Sequence, residues 1–152
     1  MFATALYKGT RAGADGLYNR IVRAVDHGPY SHTEIVFGDG LCGSCSFLDG
    51  GMRLKRIEFE PARWDFIALP QVHERGARAY FEARAGKVGY DLRGNLRFLL
   101  PWERASRTRR FCSWACWESL GLPEGWRFGP NSYALLMAEI CAANIVPGEV
   151  FL

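Results

Sequence analysis

Hydrophobic and polar positions divide the chain into short, turn-bounded runs in its first half and longer helical stretches in its second. Phe2 to Tyr7 is an apolar run of strand length that ends at a Gly-containing loop, and it predicts a strand. From Ala14 to Val25, Leu17, Ile21, Val22 and Val25 recur at helical spacing, with Asp15 near the start. His27-Gly28-Pro29 stops that helix. Ser31 to Phe37 predicts a strand closed by the turn Gly38-Asp39-Gly40. Cys42 to Leu48 is expected to return antiparallel, and Asp49-Gly50-Gly51 turns the chain again. Met52 to Phe59 alternates imperfectly, with Arg53, Lys55 and Arg56 outward, and Trp64 to Leu69 is a further strand after Pro61. The first half therefore reads as a meander of about four strands after an initial helix.

The second half changes period. Val72 to Lys87, rich in Ala, Arg and Glu, predicts a surface helix before Gly86 and Gly89. Leu92 to Leu100 is apolar and helical in pattern, with Pro101 at its end. Arg104 to Arg110 holds four arginines in seven residues and reads as a solvated loop. Phe111 to Leu120 predicts a helix stopped by Gly121 and Pro123. Pro130 to Ala143 is a last helix, with Pro130-Asn131-Ser132 as its opening cap. No internal repeat or linker interrupts the pattern. The expectation is a single α+β domain across residues 1–152.

Composition narrows the classes. A chain of 152 residues that is 49% hydrophobic and 14% aromatic has enough apolar material for one well-packed core and is not disordered. The net charge of +3, from 19 basic and 16 acidic residues, gives no reason to expect nucleic acid or an anionic membrane as partner. No stretch approaches the ~20 apolar residues of a membrane span. Lys8 and Arg11 interrupt any signal-peptide core, so a cytoplasmic protein is expected.

Five cysteines, at 42, 45, 112, 116 and 141, form an odd set that does not suit a disulfide framework. Cys42-x-x-Cys45 and Cys112-x-x-x-Cys116 raise the alternative of a zinc-binding interaction domain. Against it, 66 residues separate the pairs and the second pair falls in a helix. No metal or organic cofactor is expected.

Two positions carry candidate chemistry. On the strand from Ser31 to Phe37, His32, Glu34 and Val36 share one face, and Ile35 and Phe37 take the other. A His beside a Glu can form an imidazole–carboxylate pair that fixes the tautomer and raises basicity, although polar residues on a strand also serve simply as a solvated face. Cys112 opens a helix behind Arg109 and Arg110. The free N–H groups and partial positive charge of a helix start, with arginines nearby, favour a thiolate and can hold an oxyanion. Cys116 lies one turn later on the same side and reads as a packing residue. A cysteine in so aromatic a helix also fits a plain core position.

Taken in order, four segments resemble the permuted papain-like hydrolases, in particular the YiiX/YaeF-like branch of the NlpC superfamily. They are Tyr30-Ser31-His32-Thr33-Glu34, Asp49-Gly50-Gly51-Met52-Arg53, Gly89-Tyr90-Asp91 and Phe111-Cys112-Ser113. The resemblance implies a circularly permuted papain-like fold, with an antiparallel sheet packed against helices and the His preceding the Cys in sequence. It implies a cysteine amidase or peptidase-like hydrolase, acting on an amide, ester or thioester, in which Cys112 faces His32. The substrate classes it implies are a peptide, a cell-wall fragment or an acylated small molecule. The family's Cys is usually followed by Ser-Glu, whereas here Trp114 follows Ser113.

Papain-like sites orient the His with a further polar residue. Glu34 is the first candidate for that role, with Ser44 and Ser46 on the next strand as alternatives. Tyr30 is a candidate oxyanion donor, and Ser44 and Ser113 are candidate cleft residues. Asp91 is expected to cap the helix after it, and Trp114 and Trp117 to wall the cleft. A catalytically inactive partner-binding module on the same fold is the other reading.

Overall fold

The computed structural model describes residues 1–10, 13–93 and 106–148. Among them the chain forms a mixed α/β structure of the α+β class, with one curled eight-stranded sheet and four α-helices. The strands are β1 (Ala3–Tyr7), β2 (His32–Val36), β3 (Leu41–Ser46), β4 (Gly51–Arg56), β5 (Trp64–Ala68), β6 (Gly89–Tyr90), β7 (Arg109–Arg110) and β8 (Val146–Pro147). The helices are α1 (Gly13–Val25), α2 (Glu74–Arg84), α3 (Cys112–Ser119) and α4 (Pro130–Ile140). None of the described helices is long and apolar enough to cross a membrane. The expected helix from Leu92 to Leu100 lies almost wholly outside the described residues, and with it the capping role expected of Asp91.

The sheet order is β7-β6-β4-β3-β2-β1-β5-β8, antiparallel throughout except for the parallel pair β6–β7. Strands β2, β3 and β4 form the expected meander, but β5 does not continue it. It crosses over to pair with β1, which matches it residue for residue from Ala3–Ala68 to Tyr7–Trp64. β1 is apolar apart from Thr4 because it is central, flanked by β2 and β5 and buried on both faces. β6, β7 and β8 have two residues each, too short for any periodicity to reveal. Arg109 and Arg110, expected in a solvated loop, are β7.

Gly51 joins the short strands to the rest. It pairs with Gly89, and a methyl group on it would collide with the Val88 carbonyl oxygen and the Gly89 Cα. Only a glycine lets β6 approach β4 this closely.

The larger core lies between the sheet and α2, α3 and α4. Phe2, Leu6, Ile35, Phe37, Met52, Phe81, Trp117 and Tyr133 are among its buried members. A smaller cluster of Ala5, Tyr7, Trp64 and Phe66 covers the other face of the central strands, against Ile57 and Phe59. The residues of β2 divide between these environments as alternation requires: Ile35 enters the larger core, and His32 and Glu34 face away from it.

Hydroxyl groups fix the backbone of β2. Thr4 Oγ1 donates to the Glu34 carbonyl oxygen at 3.1 Å, and Ser44 Oγ donates to the Thr33 carbonyl oxygen at 2.7 Å. The β2–β3 ladder holds only the pairs Ile35–Gly43 and Val36–Cys42, so the Ser44 bond takes over where the strands separate. The segment entering β2 is stapled to α4. Asn131 Oδ1 accepts from the Tyr30 N–H at 2.8 Å, and Asn131 Nδ2 donates to the Tyr30 carbonyl oxygen at 2.9 Å. The start of α4 is capped from outside its own sequence: Asp26 accepts the Asn131 N–H at 2.5 Å and faces Ser132 Oγ at 3.3 Å. No side chain at the N-cap position itself, Gly129, performs that task.

Candidate active site

His32 and Glu34, two residues apart on β2, meet through Nε2 and Oε1 at 2.7 Å. The strand geometry that puts alternate side chains on one face makes this contact possible without a turn. Glu34 is fully buried and is held by Arg53 of β4. Arg53 Nη1 donates to Oε2 at 2.6 Å, and Nη2 donates to Oε1. Arg53 Nε donates in turn to Asp49 Oδ2 at 2.9 Å, and Lys55 Nζ donates to the same oxygen at 2.8 Å. A charge chain therefore runs from His32 through Glu34 and Arg53 to Asp49 and Lys55.

Burial alone would raise the Glu34 carboxyl, but the charge and paired hydrogen bonds of Arg53, with His32 adding to them, hold it down to about 2. Glu34 is ionised at neutral pH. For His32, burial opposes the charged form. The charge and hydrogen bond of Cys112, followed by those of Glu34, outweigh burial and raise the imidazole to about 9. Glu34 occupies Nε2, so Nδ1 is the ring nitrogen that this carboxylate does not engage.

Cys112 is the first residue of α3 and is completely buried. Phe111 before it is extended, and the first intrahelical bond runs from the Ala115 N–H to the Phe111 carbonyl oxygen. The N–H groups of Cys112, Ser113 and Trp114 thus precede the ladder. The approach to the helix is fixed by β7: the Arg110 carbonyl oxygen accepts from the Asp91 N–H at 2.7 Å and from Cys45 Sγ at 3.2 Å. Further along the same helix, Cys116 Sγ accepts from Thr33 Oγ1 at 3.4 Å, which ties α3 to β2.

A cavity beside His32 is walled by Tyr18, Asn19, Ser46, Phe47 and Tyr90, among others. The Tyr18 and Tyr90 hydroxyls are 2.6 Å apart, and Phe47 packs against both rings, with centroids 6.0 and 5.8 Å away. Burial raises the Tyr90 phenol, followed by the charge of Tyr18 and then that of Cys112. Asn19 Nδ2 donates to Ser31 Oγ at 3.0 Å on the same wall.

Several expected residues lie elsewhere. Tyr30 directs its hydroxyl to Asp65 Oδ2 at 2.8 Å, and burial together with that carboxylate raises its phenol. Ser44 is committed to the Thr33 carbonyl, and Ser113 Oγ donates to the Phe128 carbonyl oxygen at 2.8 Å. Ser46 walls the cavity beside His32, but Glu34 is the group on His32 Nε2. Trp114 and Trp117 do not wall it: Trp114 Nε1 bonds Glu118, and Trp117 packs on Phe128 and Tyr133 in the core. Arg110 turns from Cys112 to bond Glu118 Oε2 at 2.9 Å and lies over the Trp114 ring. The thiols of Cys42 and Cys45 bond the carbonyl oxygens of Gly40 and Arg110. Among the described residues no group of three or more His, Cys, Asp or Glu could hold a metal ion.

Arg53, Tyr18, Tyr90 and Phe47 were not singled out from the sequence as site residues. Arg53 and Tyr90 did stand within the segments that carried the family resemblance, which was the available signal. Tyr18 and Phe47 reach the cavity from α1 and from the tip of the β3–β4 hairpin, and no local motif marks them. No family model matches the chain, and none of the curated proteins matches it.

Proposed function

We propose that the chain is a cysteine-dependent hydrolase of the amidase or peptidase type, on a circularly permuted papain-like fold of the NlpC superfamily. The observation that carries this reading is the position of His32, which meets Glu34 Oε1 at 2.7 Å and lies near enough to Cys112 for that residue's charge to raise the imidazole. Its support in the fold is the contact of α3, which opens on Cys112, with β2 and β3.

In this reading His32 takes the Cys112 proton, and the thiolate attacks an amide, ester or thioester carbonyl. Free N–H groups at the start of α3 hold the oxyanion. His32 then protonates the leaving group, and water releases the acyl group from Cys112 as a carboxylic acid. Glu34 fixes the His32 ring and stabilises its protonated form, and Arg53 keeps Glu34 ionised and in place. The complete burial of Cys112 favours a second reading, a partner-binding module on the same fold.

Alkylation of Cys112 by iodoacetamide, followed by peptide mass spectrometry across pH, separates the two. The hydrolase reading expects labelling at about pH 6 to 8 to be faster in the wild type than in His32→Ala. The two rates should converge above about pH 9, where His32 loses its proton. Equal rates across the whole range would overturn it.

A further inference from the structure

A second cavity lies beside the one at His32, walled by Glu34, Ser46, Arg53, Lys55, Arg56 and Trp64. Three links join the two. Ser46 walls both. His32 in the first is bonded to Glu34 in the second. Tyr7 in the first packs on Trp64 in the second, with ring centroids 5.0 Å apart.

The second cavity is cationic. Arg53 is committed to Glu34 and Asp49 through Nη1, Nη2 and Nε. Lys55 reaches the same Asp49, so one carboxylate serves two cations, and the Lys55 side chain remains 45% exposed. Arg56 donates through Nη1 to a neutral acceptor, the Asp39 backbone oxygen, while the Asp39 carboxylate is taken by Arg78. Three cations thus stand against Glu34 and Asp49, an excess of one positive charge beside a flat aromatic wall. Guanidinium and ammonium groups so placed recognise carboxylate or phosphate oxygens.

We propose that the two cavities form one groove, and that the substrate carries an anionic oxygen group held by Lys55 and Arg56 while its reacting carbonyl lies at Cys112. The catalytic half of this assignment rests on the hydrolase reading above; the anion-binding half does not. Carboxylate and phosphate share the chemistry, and matched probes distinguish them.

Three chloroacetamides serve: N-chloroacetyl-γ-aminobutyrate, its neutral carboxamide, and N-chloroacetyl-phosphoethanolamine. Each alkylates Cys112 with loss of chloride. In the wild type, the anionic probe matching the natural group should label about fivefold faster than the neutral one. In Lys55→Gln/Arg56→Gln the ratio of the anionic to the neutral rate should fall to about one. A persisting advantage would trace the preference to the charge of His32 and overturn the proposal.

Binding of phosphate and of glutarate to Cys112→Ala, followed by NMR shifts of the Trp64 indole, tests the anion site without any reaction. Saturable binding lost in Cys112→Ala/Lys55→Gln/Arg56→Gln supports the site even if no probe labels Cys112. Shifts that only follow ionic strength, matched by sodium chloride, would sink it.

Discussion

Arg53 holds both carboxylate oxygens of Glu34, and one of those same oxygens meets His32 Nε2 at 2.7 Å. The group that orients the imidazole is therefore a buried charge whose counter-charge arrives from a strand two places away in the sheet. Removing one member of a buried ion pair costs about 3–5 kcal/mol, because the other charge is left uncompensated. Glu34→Gln and Arg53→Met should each destabilise the fold by that order in denaturant unfolding. Glu34→Gln/Arg53→Met should cost less than the sum of the two, since neither charge is then stranded. Additive losses would mean that the two side chains contribute independently.

The same pair sets a pH dependence with a definite sign. Glu34 is held at about 2, below its ordinary value near 4.5. Its contribution to stability is fully present above the ordinary value and is lost as pH falls toward 2. His32 is held at about 9, above its ordinary 6.5. Its contribution is complete below 6.5 and disappears as pH rises through 9. Both are in force between 4.5 and 6.5. The melting temperature of the wild type, relative to the variants, should be highest in that window. Glu34→Gln should flatten the acid limb of the profile and His32→Ala the alkaline limb. If the difference between wild type and His32→Ala does not change from pH 6 to about pH 10, the raised imidazole is excluded.

How far the sequence reveals this arrangement depends on the separation of the partners. The His32–Glu34 contact is legible because two residues on one strand face are neighbours whatever the rest of the chain does. The helix start at Cys112 is legible because an apolar run follows a charged segment and ends at Gly121. The Arg53 clamp is not, since its placement depends on β3 lying between β2 and β4, and alternation on β4 says only that Arg53 avoids the core. The same holds for the pairing of β5 with β1, which the turn signals suggest would follow β4. Pro130-Asn131-Ser132 looks like a self-contained cap, yet the cap is Asp26, brought in by the tertiary fold. Side-chain partners supplied by distant segments leave no periodic trace.

Access to Cys112 yields the last prediction. Cys112 is fully buried, whereas the His32 side chain keeps 16% of its surface at the cavity wall. Tyr90 lies close enough to Cys112 to feel its charge, and its hydroxyl is 2.6 Å from that of Tyr18. A reagent that enters from the cavity beside His32 therefore meets the Tyr18–Tyr90 pair and the Phe47 ring between the two helical and strand walls. A single neutral hydrogen bond contributes about 0.5–1.5 kcal/mol net. Its loss should raise the population of the open form, and with it the alkylation rate, about two- to tenfold. Tyr18→Phe removes that bond while keeping the ring and its contact with Phe47, and it leaves His32, Glu34 and Arg53 untouched. Iodoacetamide labelling of Cys112 should speed up by that factor in Tyr18→Phe with no change in melting temperature beyond the bond itself. An unchanged rate would mean that reagents reach Cys112 without parting the two tyrosines.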